Sequence, residues 1–233
     1  MSTEQNMKDD FYISETSLAS YIEREWADYI LDEPSFKFPP FSKSFQCNYA
    51  LDAARLLEES LQSFSPISLI EIGPGVGRFL YETLKRLGTL RDVELIEPSE
   101  RLTGALKQIF NKPMNPTFRG VYGNFEPADI TIGNSEVAER ASNLQMNHSI
   151  CTFDDFSPDR KYDLVVALNV IDQCENPERL IKLLHQLVNK DGFIILSCTY
   201  QWQKKLLGEM VSKQPNDIKD FFNANSFQVI NED

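Results

Sequence analysis

The residues with the clearest chemical content lie in the stretch SLIEIGPGVGRF, residues 68–79. An apolar run leads into a carboxylate, Glu71, and three glycines follow at two-residue spacing, Gly73, Gly75 and Gly77, with Pro74 between the first two. A tight turn from a strand into a helix needs residues that tolerate φ > 0, which glycine does. The missing Cβ also lets a ligand lie directly on the backbone, and the helix that follows presents unpaired N–H groups at its start. Such a turn suits a nucleotide-like ligand at the carboxyl edge of a parallel sheet. The spacing is G-x-G-x-G, not the G-x-G-x-x-G of a dinucleotide site, and no Gly-Lys-Ser/Thr of a phosphate-binding loop follows. Glu71 would repel a pyrophosphate and attract a cation, such as an amino-acid ammonium group.

Further acids fall where later strands should end. Glu97, followed by Pro98, closes the segment DVELIEP and is placed to accept hydrogen bonds from a ribose diol. In TFDDF, Asp154 or Asp155 can accept from an adenine amino group, and Phe156 can stack on the base. Beyond the next strand come Asn169 and Asp172. Asn169 is expected to line the cofactor pocket. Asp172 reads equally as a group that orients or deprotonates a substrate and as one that steadies the segment after it. Tyr200 and Trp202 follow the fifth strand, and Tyr12 and Tyr21 come from the N-terminal region; all four are candidates for an acceptor pocket, although Tyr21 also fits an apolar helix face. Residues 36–45 carry four phenylalanines and two prolines, a pattern of core packing or of a lid over a ligand. His185 reads as a surface residue, and His148 has no evident partner. Neither the two histidines nor the four widely spaced cysteines have metal-ligand spacing, so no metal site is expected.

The elements that must position these groups follow from periodicity. Helical spacing covers residues 16–31 and 47–62. Strands are expected at 68–73, 92–99, 148–153, 162–169, 192–200 and 226–231, and helices at 76–88, 100–110, 177–189 and 216–225, with Asp191-Gly192 as the turn before the fifth strand. Strand alternating with helix predicts a parallel α/β sheet. Residues 111–147, rich in Pro and Gly, break the alternation and read as an insertion containing a β-hairpin. Cys151 and Cys198 fall in apolar runs and are expected in the core. The expected division is a helical cap with a Phe/Pro-rich lid over 1–62 and a ligand-binding domain over 63–233.

Composition bounds the function. There are 35 acidic and 23 basic residues, a net charge of −12, and no run of the ~20 apolar residues that a membrane span requires. The acidic balance argues against a nucleic-acid substrate, since polyanion binding relies on Lys and Arg. The polar N-terminus does not read as a signal peptide, which makes the cytoplasm the expected location.

Glu71, the three glycines, Glu97, the Asp154/Asp155 pair and the strand YDLVVALNVID together resemble class I S-adenosylmethionine-dependent methyltransferases over about residues 66–231. The resemblance implies a Rossmann-like, doubly wound, mostly parallel sheet with S-adenosyl-L-methionine as cofactor. It implies that Glu71, Gly73, Pro74, Gly75 and Gly77 hold the methionine part, that Glu97 and Pro98 hold the ribose, and that Asp154 or Asp155 with Phe156 holds the adenine. Tyr12, Glu15, Leu18, Tyr21 and the stretch NVIDQCENPERLIKLL are similar to the methyltransferase domain of ovothiol synthases, which methylates an imidazole nitrogen, and NVIDQC also resembles protein-histidine N-methyltransferases. That narrower resemblance implies a small-molecule acceptor, methylated on an imidazole or amine nitrogen by in-line transfer. Family sheets end in a seventh, antiparallel strand, for which no pattern follows the sixth; either the chain is truncated, or a homodimer or partner subunit covers the open edge. Two other readings stay open, a non-catalytic cofactor-binding subunit of a larger enzyme and a dinucleotide-binding Rossmann domain.

Overall fold

The computed structural model describes residues 15–31, 48–111, 113–121, 127–174, 176–200, 219–220, 223–224, 227–228 and 230. The expected lid (36–45), Tyr12, Trp202, and most of the expected last helix and strand lie outside the described residues.

Among the described residues five parallel strands form the sheet: β1 (Ser68–Ile72), β2 (Asp92–Ile96), β5 (Gln145–Ser149), β6 (Tyr162–Ala167) and β7 (Val188–Leu196), in the order β5-β2-β1-β6-β7. The chain winds outward from β1 to β2 and β5, then returns to the other side of β1 for β6 and β7. The point of reversal is the gap between β1 and β6, where open α/β sheets place ligands. The central strands are buried on both faces, as parallel strands between two helical layers must be. Leu69, Val93, Leu95, Leu164 and Val166 join one apolar cluster, and Ile70, Ile72, Ile96, Val165 and Ala167 join the other. By strand alternation Glu71 shares the face of Leu69.

The helices are α1 (Glu15–Trp26), α2 (Asn48–Leu61), α3 (Arg78–Arg86), α4 (Glu100–Asn111), α5 (Ser135–Ala141) and α6 (Pro177–Leu187). Helix α6 starts where Asn176 accepts from the Arg179 N–H at 2.9 Å and Pro177 stands in the first turn, both favoured start signals. The hairpin expected in the insertion is present as β3 (Thr117–Val121) and β4 (Pro127–Thr131), antiparallel and in a separate sheet. The insertion also contains α5, a short polar helix that β-propensity and turn residues did not reveal. The buried Asn134 amide donates to the Ile109 carbonyl at 2.8 Å, satisfying the end of α4, and its oxygen accepts from the Asn115 N–H.

The N-terminal segment and the insertion are joined. After a 3₁₀ turn at Ala27–Tyr29, Ile30 bridges Ile132 antiparallel, and the Leu31 N–H donates to the Thr131 carbonyl at 3.0 Å. Ile22, Trp26 and Ile30 pack in the same cluster as Leu80, Phe118, Ile130 and Ile132. The boundary expected at residue 62 therefore does not separate two apolar cores among the described residues.

Two strands differ from expectation. β5 begins three residues before the expected strand, because the apolar Ile150, Cys151 and Phe153 follow the strand instead of forming it; Ile150 is exposed. Cys151 and Cys198 are half-buried and lie just past β5 and β7, not in strands. Helix α6 stops at Leu187, and the ladder jumps from Tyr162↔Val188 to Leu164↔Phe193. Asp191 (φ 65°) and Gly192 form their turn inside this irregularity, as a bulge within β7.

The strongest polar tie between α1 and the sheet domain is Arg78, 2% exposed. Its guanidinium meets both Asp28 oxygens (2.5 and 2.7 Å), Glu82 (3.0 Å) and the Glu25 carbonyl (2.9 Å), and it lies over the Trp26 and Tyr29 rings. Burial works against its charge, but the bond and charge of Asp28 and the charge of Glu82 outweigh that and raise its pKa. Replacing Arg78 with Met removes one member of a buried charge cluster and should cost about 3–5 kcal/mol. Removing Arg55, whose bond to Asp52 is well exposed, should cost less than about 1 kcal/mol. Urea unfolding of the two variants checks the contrast.

Candidate active site

The glycine turn leaves β1 at the reversal point. Gly73, Gly75 and Gly77 all have positive φ (72°, 57° and 80°), so the backbone itself demands glycine there. The space above them is close to other chain. A Cβ on Gly73 would meet Val170, which follows β6, at 2.8 Å, and one on Gly75 would meet the Tyr21 hydroxyl at 2.5 Å. Pro74 is buried, and its carbonyl accepts from the Gly77 N–H at 2.9 Å.

Glu71 and Glu97 come together at this turn. Glu97 is 7% exposed; one oxygen accepts from the Gly75 N–H at 3.2 Å and the other from the Ser99 N–H at 3.0 Å, while Pro98 is exposed. Glu71 is 2% exposed, and its Oε2 has no hydrogen-bond partner among the described residues. Burial, and then the nearby charge of Glu97, push its carboxyl up to about 8. A buried acid with an unmet acceptor beneath a strained glycine turn fits a ligand that brings a cationic hydrogen-bond donor.

The Asp154/Asp155 pair stands apart from this cluster. Asp154 is ion-paired with Arg179 at 2.8 Å, and Asp155 accepts from the Thr152 hydroxyl at 2.8 Å. Phe156 packs against the second apolar cluster. All three lie in the loop that follows β5.

On the other side of the reversal point, Asn169 adopts φ 56°, strained for a residue that is not glycine. Its N–H donates to Ser197 Oγ at 2.8 Å, and Ser197 Oγ donates to Asn169 Oδ1 at 2.8 Å. The Tyr49 hydroxyl, from the first turn of α2, reaches Ser197 Oγ and lies 3.5 Å from Asn169 Oδ1. Tyr49 and Ser197 were not singled out by sequence; the available signal was a serine directly after β7, whose end pairs with the end of β6 before Asn169. Asp172 is fully buried and accepts from the Thr199 hydroxyl. That placement fits a residue that fixes the segments after β6 and β7. Tyr200 is exposed, with φ 57°. His148 lies in β5, where burial and Lys107 lower its pKa to about 4, and the His185 ring meets Phe227 edge-on. Burial pushes the Cys174 and Cys198 thiols up to about 12 and 11, which leaves them un-ionised at neutral pH. Among the described residues no group of three or more His, Cys, Asp or Glu is placed to hold a metal ion, and no helix is long and apolar enough to cross a membrane.

A parallel sheet of this order, with a glycine turn and two buried acids at its reversal point, is the architecture of a class I methyltransferase. Residues 45–233 match the model of a methyltransferase domain family, and the chain belongs to that family, whose class takes its methyl group from S-adenosylmethionine. The ubiquinone biosynthesis O-methyltransferase, mitochondrial, of Dictyostelium discoideum is 22% identical over 214 residues, covering 79% of this chain and 59% of that protein. The chain thus spans less than two thirds of that relative's length. Coclaurine N-methyltransferase bound to N-methylheliamine and SAH shares the fold with a TM-score of 0.52 at 14% identity, over 84% of this chain and 47% of that one. A plantazolicin methyltransferase in complex with SAH gives 0.49 at 16% identity, over 82% and 55%.

The raised Glu71 pKa has a consequence for stability. Between the ordinary carboxylate value near 4.5 and about 8, the unfolded chain has released the proton that folded Glu71 retains. Stability without ligand should therefore fall as pH rises through that window and level off above it. Glu71→Gln should remove this component of the slope, so that the variant gains on the parent protein from pH 5 to pH 8. Denaturant unfolding at several pH values reads the difference; parallel curves would mean that Glu71 is ionised in the folded chain.

Proposed function

We propose that this chain transfers a methyl group from S-adenosylmethionine to a nitrogen of a small amine or imidazole. The observation that carries the donor half is the unmet, buried Glu71 oxygen under the glycine turn. It calls for a cation, and the donor's amino-acid end has an ammonium group. Glu97, at the next strand end, suits the ribose hydroxyls. Asp154 or Asp155, in the loop after β5, is assigned to the adenine, with Phe156 beside it.

When bound, S-adenosylmethionine supplies a methyl group on a sulfonium, and the bonding pair returns to sulfur as the acceptor's lone pair takes the carbon. The chain's task is then alignment, and the acceptor nitrogen, reacting in its neutral form, gives its surplus proton to solvent. Holding reactants in line can account for several orders of magnitude in rate. The Asn169–Ser197–Tyr49 group provides hydrogen-bond acceptors for an N–H at the mouth between β6 and β7. Asp172, buried behind Thr199, is assigned to hold that mouth in shape, and Tyr200, exposed beyond β7, to wall the acceptor side. The similarity of residues 169–184 to imidazole N-methyltransferases supports a nitrogen acceptor. The named activity of the Dictyostelium relative favours a second reading, an oxygen acceptor. A cytoplasmic location is part of the proposal, whereas that relative is mitochondrial. A homodimer or partner subunit remains part of the proposal.

Calorimetric titration with S-adenosylmethionine, followed by mass-spectrometric assay on imidazoles, amines and catechols, tests the reading. Binding with an N-methylated product is expected. A product only from catechols would select the oxygen reading, binding without turnover would indicate a cofactor-binding subunit, and tighter binding of NAD would indicate a dinucleotide domain. Gly75→Val adds a side chain where φ is positive and the Tyr21 hydroxyl is already close. It should abolish donor binding, and an unchanged affinity would remove the turn from the site.

A further inference from the structure

Asn169 follows β6 by two residues, and its neighbour Val170 is the side chain that a Cβ on Gly73 would meet. Its φ of 56° costs free energy even for an asparagine, so its surroundings must hold it there. The strand ends contribute part of the hold. The Ser197 N–H donates to the Ala167 carbonyl at 3.2 Å, and the Asn169 N–H reaches the Ser197 carbonyl at 3.3 Å. The shorter bond of that N–H, 2.8 Å, goes to Ser197 Oγ. The same hydroxyl donates to Asn169 Oδ1 at 2.8 Å. One side chain therefore grips both the backbone and the amide of the strained residue.

A serine hydroxyl has one proton and two lone pairs. Here the proton goes to Asn169 Oδ1, one lone pair takes the Asn169 N–H, and the other takes the Tyr49 O–H. Ser197 Oγ is then saturated and has nothing left to offer a substrate. Asn169 Oδ1 differs, because a carbonyl oxygen has two lone pairs and Ser197 fills one. The Tyr49 hydroxyl, with its proton directed to Ser197 and lying 3.5 Å away, leaves the other open. With Tyr49 as donor, a flipped amide would set N–H groups against a hydroxyl whose lone pairs are both taken. Ser197 thus decides which way round the Asn169 amide sits.

We propose that Ser197 is a positioning residue for methyl transfer, whose hydroxyl holds the Asn169 amide so that the second lone pair of Oδ1 accepts an N–H of the nitrogen to be methylated. A neutral nitrogen attacks through its lone pair, and an N–H of the same atom held by a fixed oxygen aims that lone pair at the methyl carbon. No proton passes to Asn169. The inference rests on the donor and nitrogen readings above and adds to them a residue that touches neither donor nor acceptor: Asn169 makes the contact, and Ser197 acts through it.

The test compares two probes, S-adenosylhomocysteine and sinefungin. Sinefungin has an amine-bearing carbon in place of the sulfonium and its methyl group, so its N–H groups stand where the methyl group is passed on; S-adenosylhomocysteine has nothing there. Dissociation constants are measured by calorimetry for the parent protein, Ser197→Ala, Asn169→Gly and the double variant, with melting temperatures alongside. Glycine is the replacement at 169 because it accepts the φ of 56° while removing the amide. Each single variant should weaken sinefungin about tenfold and leave S-adenosylhomocysteine within about twofold. The double variant should bind sinefungin no more weakly than Asn169→Gly, since a residue acting through Asn169 has no effect once the amide is gone. Equal weakening of both probes by Ser197→Ala, an unchanged sinefungin affinity, or a further loss in the double variant would each overturn the assignment. If Asn169→Gly alone leaves sinefungin unchanged, Asn169 does not reach the transfer point and the positioning role fails, while the donor site stands. If the parent protein binds neither probe, the donor reading fails and the inference fails with it. Methylation of catechols alone in the acceptor assay would end the nitrogen reading and this inference together.

Discussion

A carboxyl group held out of water at the end of the central strand is the constraint on which the rest of the site depends. Burying an ionised carboxylate without partners is costly enough that the group keeps its proton instead. Glu71 does so, with its pKa at about 8. Glu97 close by adds to the penalty, because two anions beside one turn repel each other. An apolar or amide side chain at position 71 would relieve this at once. Keeping an acid at this position carries an unfavourable free energy that a cation placed against it would relieve. The surroundings are built to hold it: the strand is paired on both sides, and the three glycines bring backbone past it in conformations that other residues resist.

The same turn organises the periphery. Arg78 begins the helix that the turn launches, and its buried guanidinium fixes Asp28. The residues just after Asp28 extend the β3–β4 hairpin by one antiparallel bridge. Helix α1, the hairpin and α3 therefore share one cluster, and the N-terminal helix is positioned by the element that follows the glycine turn. On the far side of the reversal point, the strained Asn169 and its bonds to Ser197 tie the ends of β6 and β7 into a polar rim.

What could be read from the sequence was whatever local pattern dictates. The glycines, Glu71, Glu97, the buried strands and the hairpin each follow from a short run of residues whose chemistry leaves little choice. β5 was misplaced because an edge strand of sequence QMNHS has little apolar signal, while the loop after it has more. Helix α5 was missed because its seven residues are largely polar and sit among turn formers. The partners of Asp154 and Asp155 were invisible for a different reason: Arg179 and Thr152 meet them only once the chain has folded. Tyr49, Ser197 and the contact of Tyr21 with Gly75 depend likewise on tertiary closure, across more than fifty residues in the case of Tyr21.

If Glu71 carries its proton before the donor binds and then becomes the anionic partner of the donor's ammonium group, binding must release that proton. Proton linkage measures this directly. The enthalpy of S-adenosylmethionine binding at pH 7, taken in several buffers of different ionisation enthalpy, gives the number of protons exchanged. Release of roughly one proton is expected from the parent protein and none from Glu71→Gln. A binding enthalpy independent of buffer, or net proton uptake, would contradict it.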